Sequence, residues 1–142
     1  MQILTNPLTI NAHGFSTTVF DKDYVGAAFR MMDKMWKVVR SNELKNKGLN
    51  VIVYGHDHNV FAGVELVDAP GDSGLELKPI VLAKYAYHKH VGPYNLIKQA
   101  GQKMRDDLND MGFETTMPYI EIYGHWNKDE SKLETELLMA LK

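Results

Sequence analysis

The chain contains 142 residues, of which 44% are hydrophobic and 24% are charged. This length suits one domain with a sizeable core. Sixteen basic and eighteen acidic residues give a formal net charge of −2, which argues against a dedicated nucleic-acid binder with a basic face. Because the sequence contains no cysteine, disulfides, thiolate nucleophiles and cysteine-based zinc sites are excluded.

The first residues of the chain do not combine a basic segment with an apolar run, as a secretory signal peptide does. The longest apolar runs, such as residues 51–54 and 80–83, are far shorter than the ~20 residues that a membrane helix requires. We therefore expect a cytoplasmic protein without a membrane partner. Neither a phosphate-binding glycine loop nor a Ser-His-Asp pattern is present, and we expect no cofactor.

A short repeat divides the chain. The tripeptide at 54–56 (Tyr-Gly-His) recurs at 123–125, an offset of 69 residues (123 − 54 = 69). Each copy follows a β-rich run and precedes a second apolar run, and each half also contains one helical pattern. The sequence therefore predicts a duplicated β-α-β-β unit, with half-repeats at about 5–67 and 79–142 and a linker at 68–78.

In the first half we predict a strand at residues 8–16, followed by a helix between 24 and 47. Asp21 or Asp23 is suited to cap the start of this helix, and Gly48 to end it. The strands at 51–54 and 61–67 follow. One helix face carries an apolar stripe, which we expect to pack in the core: Val25, Phe29, Met32, Trp36 and Val39.

The second half predicts a strand at residues 80–88, a helix that begins near Pro93 and ends at Gly112, and strands at 118–124 and 133–141. The apolar stripe of this helix comprises Ile97, Ala100, Met104, Leu108 and Met111. Six strands and two helices in this order predict an α+β fold, with one antiparallel sheet or two halves that meet edge to edge. Both helices should cover one face, and the other face should form a ligand groove.

Strand alternation places Tyr119, Glu121 and Tyr123 on one face of their strand, and Ile120 and Ile122 on the other. We expect the isoleucines to pack on the helices, so that the carboxylate and its two phenols face the groove.

Under the offset of 69 residues, Glu121 corresponds to Ile52, so the scaffold accepts an apolar residue at this place. One interpretation of Glu121 is a binding carboxylate among aromatic rings, which would attract a cation. The alternative is a glutamate on the solvated face of a half-exposed strand. Tyr85 and Tyr87, which share a face of the strand at 80–88, and Tyr54 in the first half are further candidates for the pocket.

Two histidine pairs, at 56 and 58 and at 88 and 90, have the H-x-H spacing that places two imidazoles on one side of a strand. The first pair follows a glycine and the second lies beside a Gly-Pro turn, so we interpret both as turn or strand-end residues and predict no metal site. Trp126 lies in a polar loop, where it would either close over the ligand as a lid or anchor the loop.

Two segments, HKHVGPY at 88–94 and PYIEIY at 118–123, together resemble the GyrI-like effector-binding domain. This domain occurs alone and also fused to helix-turn-helix domains in AraC-type and MerR-type multidrug regulators. The resemblance is clear over 80–142 and weaker over 8–67. It implies a pseudo-twofold axis between the halves and a groove that binds amphipathic, often cationic aromatic compounds. It also implies that Glu121 is the key residue, with Tyr123 beside it and Tyr94 at the start of the second helix.

The resemblance therefore implies a stand-alone binding protein that sequesters or senses such compounds. The two repeats use almost the whole chain, so we expect no helix-turn-helix and no direct nucleic-acid binding. Some members of the family are hydrolases of electrophilic cyclopropane compounds, in which case Glu121 would be catalytic. Others inhibit gyrase, which would be a protein-binding role with an unknown partner surface. We favour binding over enzymatic activity.

Overall fold

The computed structural model describes residues 1–68 and 70–142, which form eight strands, two α-helices and two short 3-10 turns. In chain order the strands and helices are β1 (Gln2–Leu4), β2 (Leu8–Thr18), α1 (Tyr24–Ser41), β3 (Asn50–Tyr54), β4 (Asn59–Val64), β5 (Glu76–Leu82), β6 (Tyr85–Val91), α2 (Ile97–Asp110), β7 (Thr115–Tyr123) and β8 (Glu134–Leu141). The 3-10 turns lie at Tyr94–Leu96 and Glu130–Lys132.

All the strands belong to one sheet in the order β1-β6-β8-β7-β3-β4-β2-β5, and every neighbouring pair is antiparallel. The two halves of the chain meet at β3 and β7. There Ile52 lies opposite Glu121, and the flanking pairs are arranged symmetrically about them. The α+β class, the antiparallel sheet and the two helices are thus confirmed.

The opening strands of the two halves are exchanged. Strand β5 pairs with β2 of the first half, and β1 pairs with β6 of the second. The single strand predicted at 80–88 is wrong, because the chain bends at Ala83 and Lys84 and separates β5 from β6. The sheet curls, and residues of both halves meet in one cluster on one of its faces. Strand β5 begins at Glu76, within the linker predicted at 68–78, and residue 69 of that segment lies outside the described residues.

One face of the curled sheet is filled by side chains that come from strands alone. This core cluster consists of Ile10, Ala12, Val51, Val53, Phe61, Ile80, Leu82, Tyr85, Ile120, Leu138 and Ala140, with Ile122 packed against it. The prediction that Ile120 and Ile122 pack on the helices is therefore wrong. Curling lets the sheet bury this face against itself, so that the face is core and not an open groove.

Both helices pack on the other face of the sheet. Helix α1 contributes Ala27 and Ala28 to a cluster that includes Ile52 of β3. Helix α2 contributes Met104 and Leu108, together with Ile97, to a second cluster, against which Tyr119 and Tyr123 pack. Since Glu121 alternates with the isoleucines, it too lies on the helix-bearing face. The candidate site therefore lies beside the helices, whereas the sequence had predicted it on the opposite face of the sheet.

Asp23 caps α1 as predicted, because its carboxylate accepts a hydrogen bond from the backbone N–H of Gly26 at 2.9 Å. The helix ends at Ser41, however, and not near Gly48. Its buried residues are Ala27, Ala28, Met35 and Val39. Two members of the predicted core stripe, Val25 and Phe29, are 60% and 59% exposed, because the small alanines bring the neighbouring side of the helix onto the sheet.

Helix α2 follows its prediction more closely, since Ile97, Met104 and Leu108 are buried, although Met111 is 56% exposed. Among the described residues, neither helix has both the length and the apolar character needed to cross a membrane.

Candidate functional site

The centre of the site is the Glu121 carboxylate, which is only 7% exposed. Tyr119 donates a hydrogen bond from its hydroxyl to Oε2, and Tyr123 donates one to Oε1, each at 2.7 Å. The three residues come from one strand, where the alternation of side chains places residues i, i+2 and i+4 on one face. The carboxylate is therefore held between two phenols of its own strand.

Two further tyrosines extend this arrangement into an aromatic cage. Tyr54, the register partner of Tyr119, stacks on it with ring centroids 5.8 Å apart and an interplanar angle of 15°. Tyr94, from the turn before α2, packs edge-on against Tyr123 with ring centroids 5.5 Å apart. The cage thus collects residues from both halves of the chain around one carboxylate.

Glu121 has no basic partner among the described residues. Within residues 1–68 and 70–142, it forms no ion pair with any lysine, arginine or histidine nitrogen at 4.0 Å or less. A buried carboxylate is costly unless it is paired or hydrogen-bonded, and here two phenol hydroxyls donate hydrogen bonds to it. A cationic ligand could therefore pair with the Glu121 carboxylate without displacing a basic side chain of the described residues.

Three phenols of the cage, those of Tyr54, Tyr119 and Tyr123, stay protonated at neutral pH. Burial raises the pKa of Tyr54, Tyr119 and Tyr123 well above the ordinary value of 10, and the charge of Glu121 raises the pKa of each further. The Arg105 guanidinium opposes this effect at Tyr119, but the pKa of Tyr119 stays raised. All three hydroxyls therefore remain hydrogen-bond donors over the physiological range.

The wall on the α1 side of the site is apolar. Trp36 donates from Nε1 to Oδ1 of Asn50 at 2.7 Å, and Asn50 is the register partner of Tyr123. This contact directs the Trp36 side of α1 toward the junction of the two halves. Val25 and Phe29 lie on that same side of the helix and are exposed. The sequence predicted these residues as core, whereas the structure leaves them exposed on the Trp36 side of α1, which we take as the rim of the site.

The wall on the α2 side is formed by Gly101 and Arg105. The guanidinium carbon of Arg105 lies 5.9 Å from the centroid of the Tyr119 ring. A Cβ built on Gly101 would stand 3.6 Å from the Tyr119 hydroxyl. Neither residue was predicted from the sequence. A glycine in the middle of a helix was the signal that could have identified this wall, because glycine is unfavourable there without a packing or functional reason.

Two of the tyrosines expected in the pocket lie elsewhere. Tyr85 and Tyr87 share a face of β6, as predicted, but this is the face opposite to Glu121. Tyr87 donates its hydroxyl to Glu136 at 2.6 Å, and burial together with this bond raises its pKa to about 12. Trp126 is 76% exposed in the connection between β7 and β8.

The described residues contain no group of three or more histidines and acidic residues able to hold a metal ion. Two surface cavities lie away from Glu121. One, of about 570 Å³, is bordered by His13, Ser73 and neighbouring residues. The other, of about 430 Å³, is bordered by His56, Lys78 and Pro118 among others. Glu121 borders neither of these two cavities, and it is only 7% exposed in this structure.

No family model matches the sequence, and no curated protein matches it either. Solved structures do match over nearly the whole chain. SAV2435 bound to tetraphenylphosphonium is 18% identical with a TM-score of 0.64, over 99% of this chain and 93% of that one. The C-terminal domain of EcmrR is 16% identical with a TM-score of 0.74, over 99% and 97%.

A hydrolase from Listeria innocua is 14% identical with a TM-score of 0.53, over 97% of this chain and 92% of that one. At these identities the matches establish the fold. The two segments at 88–94 and 118–123 resemble the same family independently. The chain therefore has the fold of the GyrI-like effector-binding domain.

Proposed function

We propose that this protein binds amphipathic, cationic aromatic small molecules, with Glu121 as the partner of the positive charge. The observation that carries the proposal is the buried carboxylate, which has two phenol donors and no basic partner in the described residues. Aromatic faces and a carboxylate attract a cation together, and both are strongest where water is excluded.

The likeness to SAV2435 bound to tetraphenylphosphonium supports a cationic ligand of this kind. The apolar rim on α1, with Phe29 and Val25 exposed, supports an aromatic or aliphatic body around the charge. A ligand that reaches the carboxylate meets the hydroxyls of Tyr119 and Tyr123 there, because each donates a hydrogen bond to it. The biological role is sequestration of such compounds or regulator-type sensing of them.

Calorimetric titration with tetraphenylphosphonium tests the proposal. Wild type should bind with a stoichiometry of one, and Glu121→Gln should weaken binding by about 2–5 kcal/mol, the range for removing one side of a buried charge pair. Glu136→Gln is the matched control, because Glu136 also accepts a tyrosine hydroxyl but lies on the opposite face. Equal loss in both variants, or no binding by wild type, would overturn the proposal.

The likeness to the Listeria hydrolase supports one alternative, in which Glu121 acts as a general base on an electrophilic ligand. An enzyme and a binding protein differ in whether hydrolysis product accumulates. Under the hydrolase reading, an electrophilic cyclopropane compound would be converted beyond one equivalent, and Glu121→Gln would abolish turnover while leaving binding measurable. Under the binding reading, no product accumulates in the wild type.

A further inference from the structure

Arg105 is the cationic residue that borders the aromatic cage. Its guanidinium lies over the Tyr119 ring, and the hydroxyl of the same ring donates to Glu121. Within residues 1–68 and 70–142, Arg105 forms no ion pair with any carboxylate. An unpaired guanidinium therefore lies on one side of the ring whose hydroxyl holds an unpaired carboxylate.

The space between these two charges is kept open by Gly101. A Cβ built on Gly101 would be 3.6 Å from Nη2 of Arg105 and 3.6 Å from the Tyr119 hydroxyl, which is ordinary van der Waals contact. A side chain of minimal size would fit there without displacing its neighbours. Packing alone therefore does not require glycine at this position, although glycine is unfavourable inside a helix.

The two halves of the molecule differ at this wall. Under the offset of 69 residues, Gly101 corresponds to Met32, and Arg105 corresponds to Trp36. Trp36 is bound to Asn50 and forms part of the apolar rim, whereas Arg105 presents a charge. The site therefore has an apolar wall on α1 and a cationic wall on α2, with the carboxylate between them.

We propose that the site selects amphoteric aromatic ligands, whose cationic centre meets Glu121 while an anionic group meets the Arg105 guanidinium. This proposal rests on the proposed function, since it adds a second charge to the same ligand. A guanidinium recognises a carboxylate through paired N–H donors, which gives both strength and direction. A ligand with a single positive charge would gain nothing from Arg105 and would be repelled by it.

Two dyes that differ at one group provide the test. Rhodamine 123 is a cationic methyl ester, and rhodamine 110 is the corresponding acid, which carries a carboxylate on the same ring system. Fluorescence anisotropy gives the Kd of each dye for wild type, Arg105→Gln and Lys103→Gln. Lys103 is the matched control, because it loses the same charge from α2 but is already paired with Asp107 at 2.8 Å.

In wild type, rhodamine 110 should bind more tightly than rhodamine 123. Arg105→Gln should raise the Kd of rhodamine 110 on the order of tenfold, as expected for the loss of a charge-assisted hydrogen bond. The same variant should bind rhodamine 123 with an unchanged or a lower Kd. Lys103→Gln should change neither Kd by more than about twofold, within the range for an exposed pair.

Equal weakening of both dyes by Arg105→Gln, or no effect on rhodamine 110, would overturn the amphoteric selectivity. The underlying proposed function would still stand in that case, provided that Glu121→Gln weakens rhodamine 123. If rhodamine 123 binds wild type and Glu121→Gln equally well, or binds neither, the proposed function fails and the selectivity fails with it.

Discussion

Ile52 and Glu121 lie directly opposite each other across β3 and β7, at the centre of the relation between the two halves of the chain. Both are buried, with 1% and 7% of their surface exposed. An aliphatic side chain thus satisfies the scaffold at one of two equivalent places, while the other carries a charge. The sheet does not need the carboxylate, but Tyr119 and Tyr123 do, because their hydroxyls donate to it.

We expect Glu121→Leu to lower the free energy of unfolding by about 1–3 kcal/mol, since two phenol hydroxyls lose their acceptor. The variant that adds Tyr119→Phe and Tyr123→Phe should regain most of that stability, because no donor is then left without a partner. Urea denaturation of the three proteins measures both steps. If the triple variant is less stable than Glu121→Leu, the carboxylate has a structural role that these hydrogen bonds do not explain.

Alkaline stability reports on the same hydroxyls. The pKa of Tyr54, Tyr119 and Tyr123 is raised in the folded chain above the unfolded value near 10. Their contribution to stability is therefore complete below pH 10 and is lost above it, by ~1.4 kcal/mol per pH unit for each tyrosine. Tyrosinate absorbance of these residues should appear only together with unfolding. Its appearance near pH 10 in a chain with native circular dichroism would contradict this.

The close contact of β2 and β4 depends on glycine. A Cβ on Gly14 would stand 1.9 Å from the carbonyl oxygen of Ala62, and its register partner is Gly63. Gly14→Ala should therefore destabilise the fold by about 1–3 kcal/mol or more through overpacking. Gly55→Ala is the control, because the nearest atoms would be 3.9 Å away and the effect should stay within about 0.5 kcal/mol. Equal thermal denaturation of the two variants would refute the close approach.

Gly101→Ala separates stability from binding. The added methyl group fits at ordinary contact distance and removes a helical glycine, so the free energy of unfolding should rise by about 0.5–1 kcal/mol. Binding of tetraphenylphosphonium should weaken, because the methyl group occupies the space beside the Tyr119 hydroxyl. Thermal denaturation and calorimetry on one preparation check both effects. A stabilised variant with unchanged affinity would show that the ligand does not use this wall.

The sequence predicted correctly those features that depend on a single strand. Alternation correctly placed Tyr119, Glu121 and Tyr123 on one face, since the two-residue period is local. It could not decide which face meets the helices, because both faces of this sheet are buried and Ile120 is as apolar as a helix-facing residue would be. The choice depends on curling, and curling depends on the pairing of β5 with β2 between the two halves.

The remaining errors have the same origin. Tyr85 and Tyr87 were correctly placed on one side of their strand, but the break at Ala83 and Lys84 and the pairing with β8 decide that this side faces away from Glu121. The walls of the site depend on which side of each helix rests on the sheet. Periodicity alone predicted Phe29 as core, and it left Arg105 without a role.

The central claim is that Glu121 selects ligands by the sign of their charge. Tetraphenylphosphonium and tetraphenylborate have nearly the same shape and opposite charges, so the ratio of their Kd values isolates this effect. We predict that wild type prefers the cation by at least about 30-fold, and that Glu121→Gln removes most of the preference. Glu136→Gln should retain it. A wild-type protein that binds both ions equally, or a preference that survives in Glu121→Gln, would contradict the account.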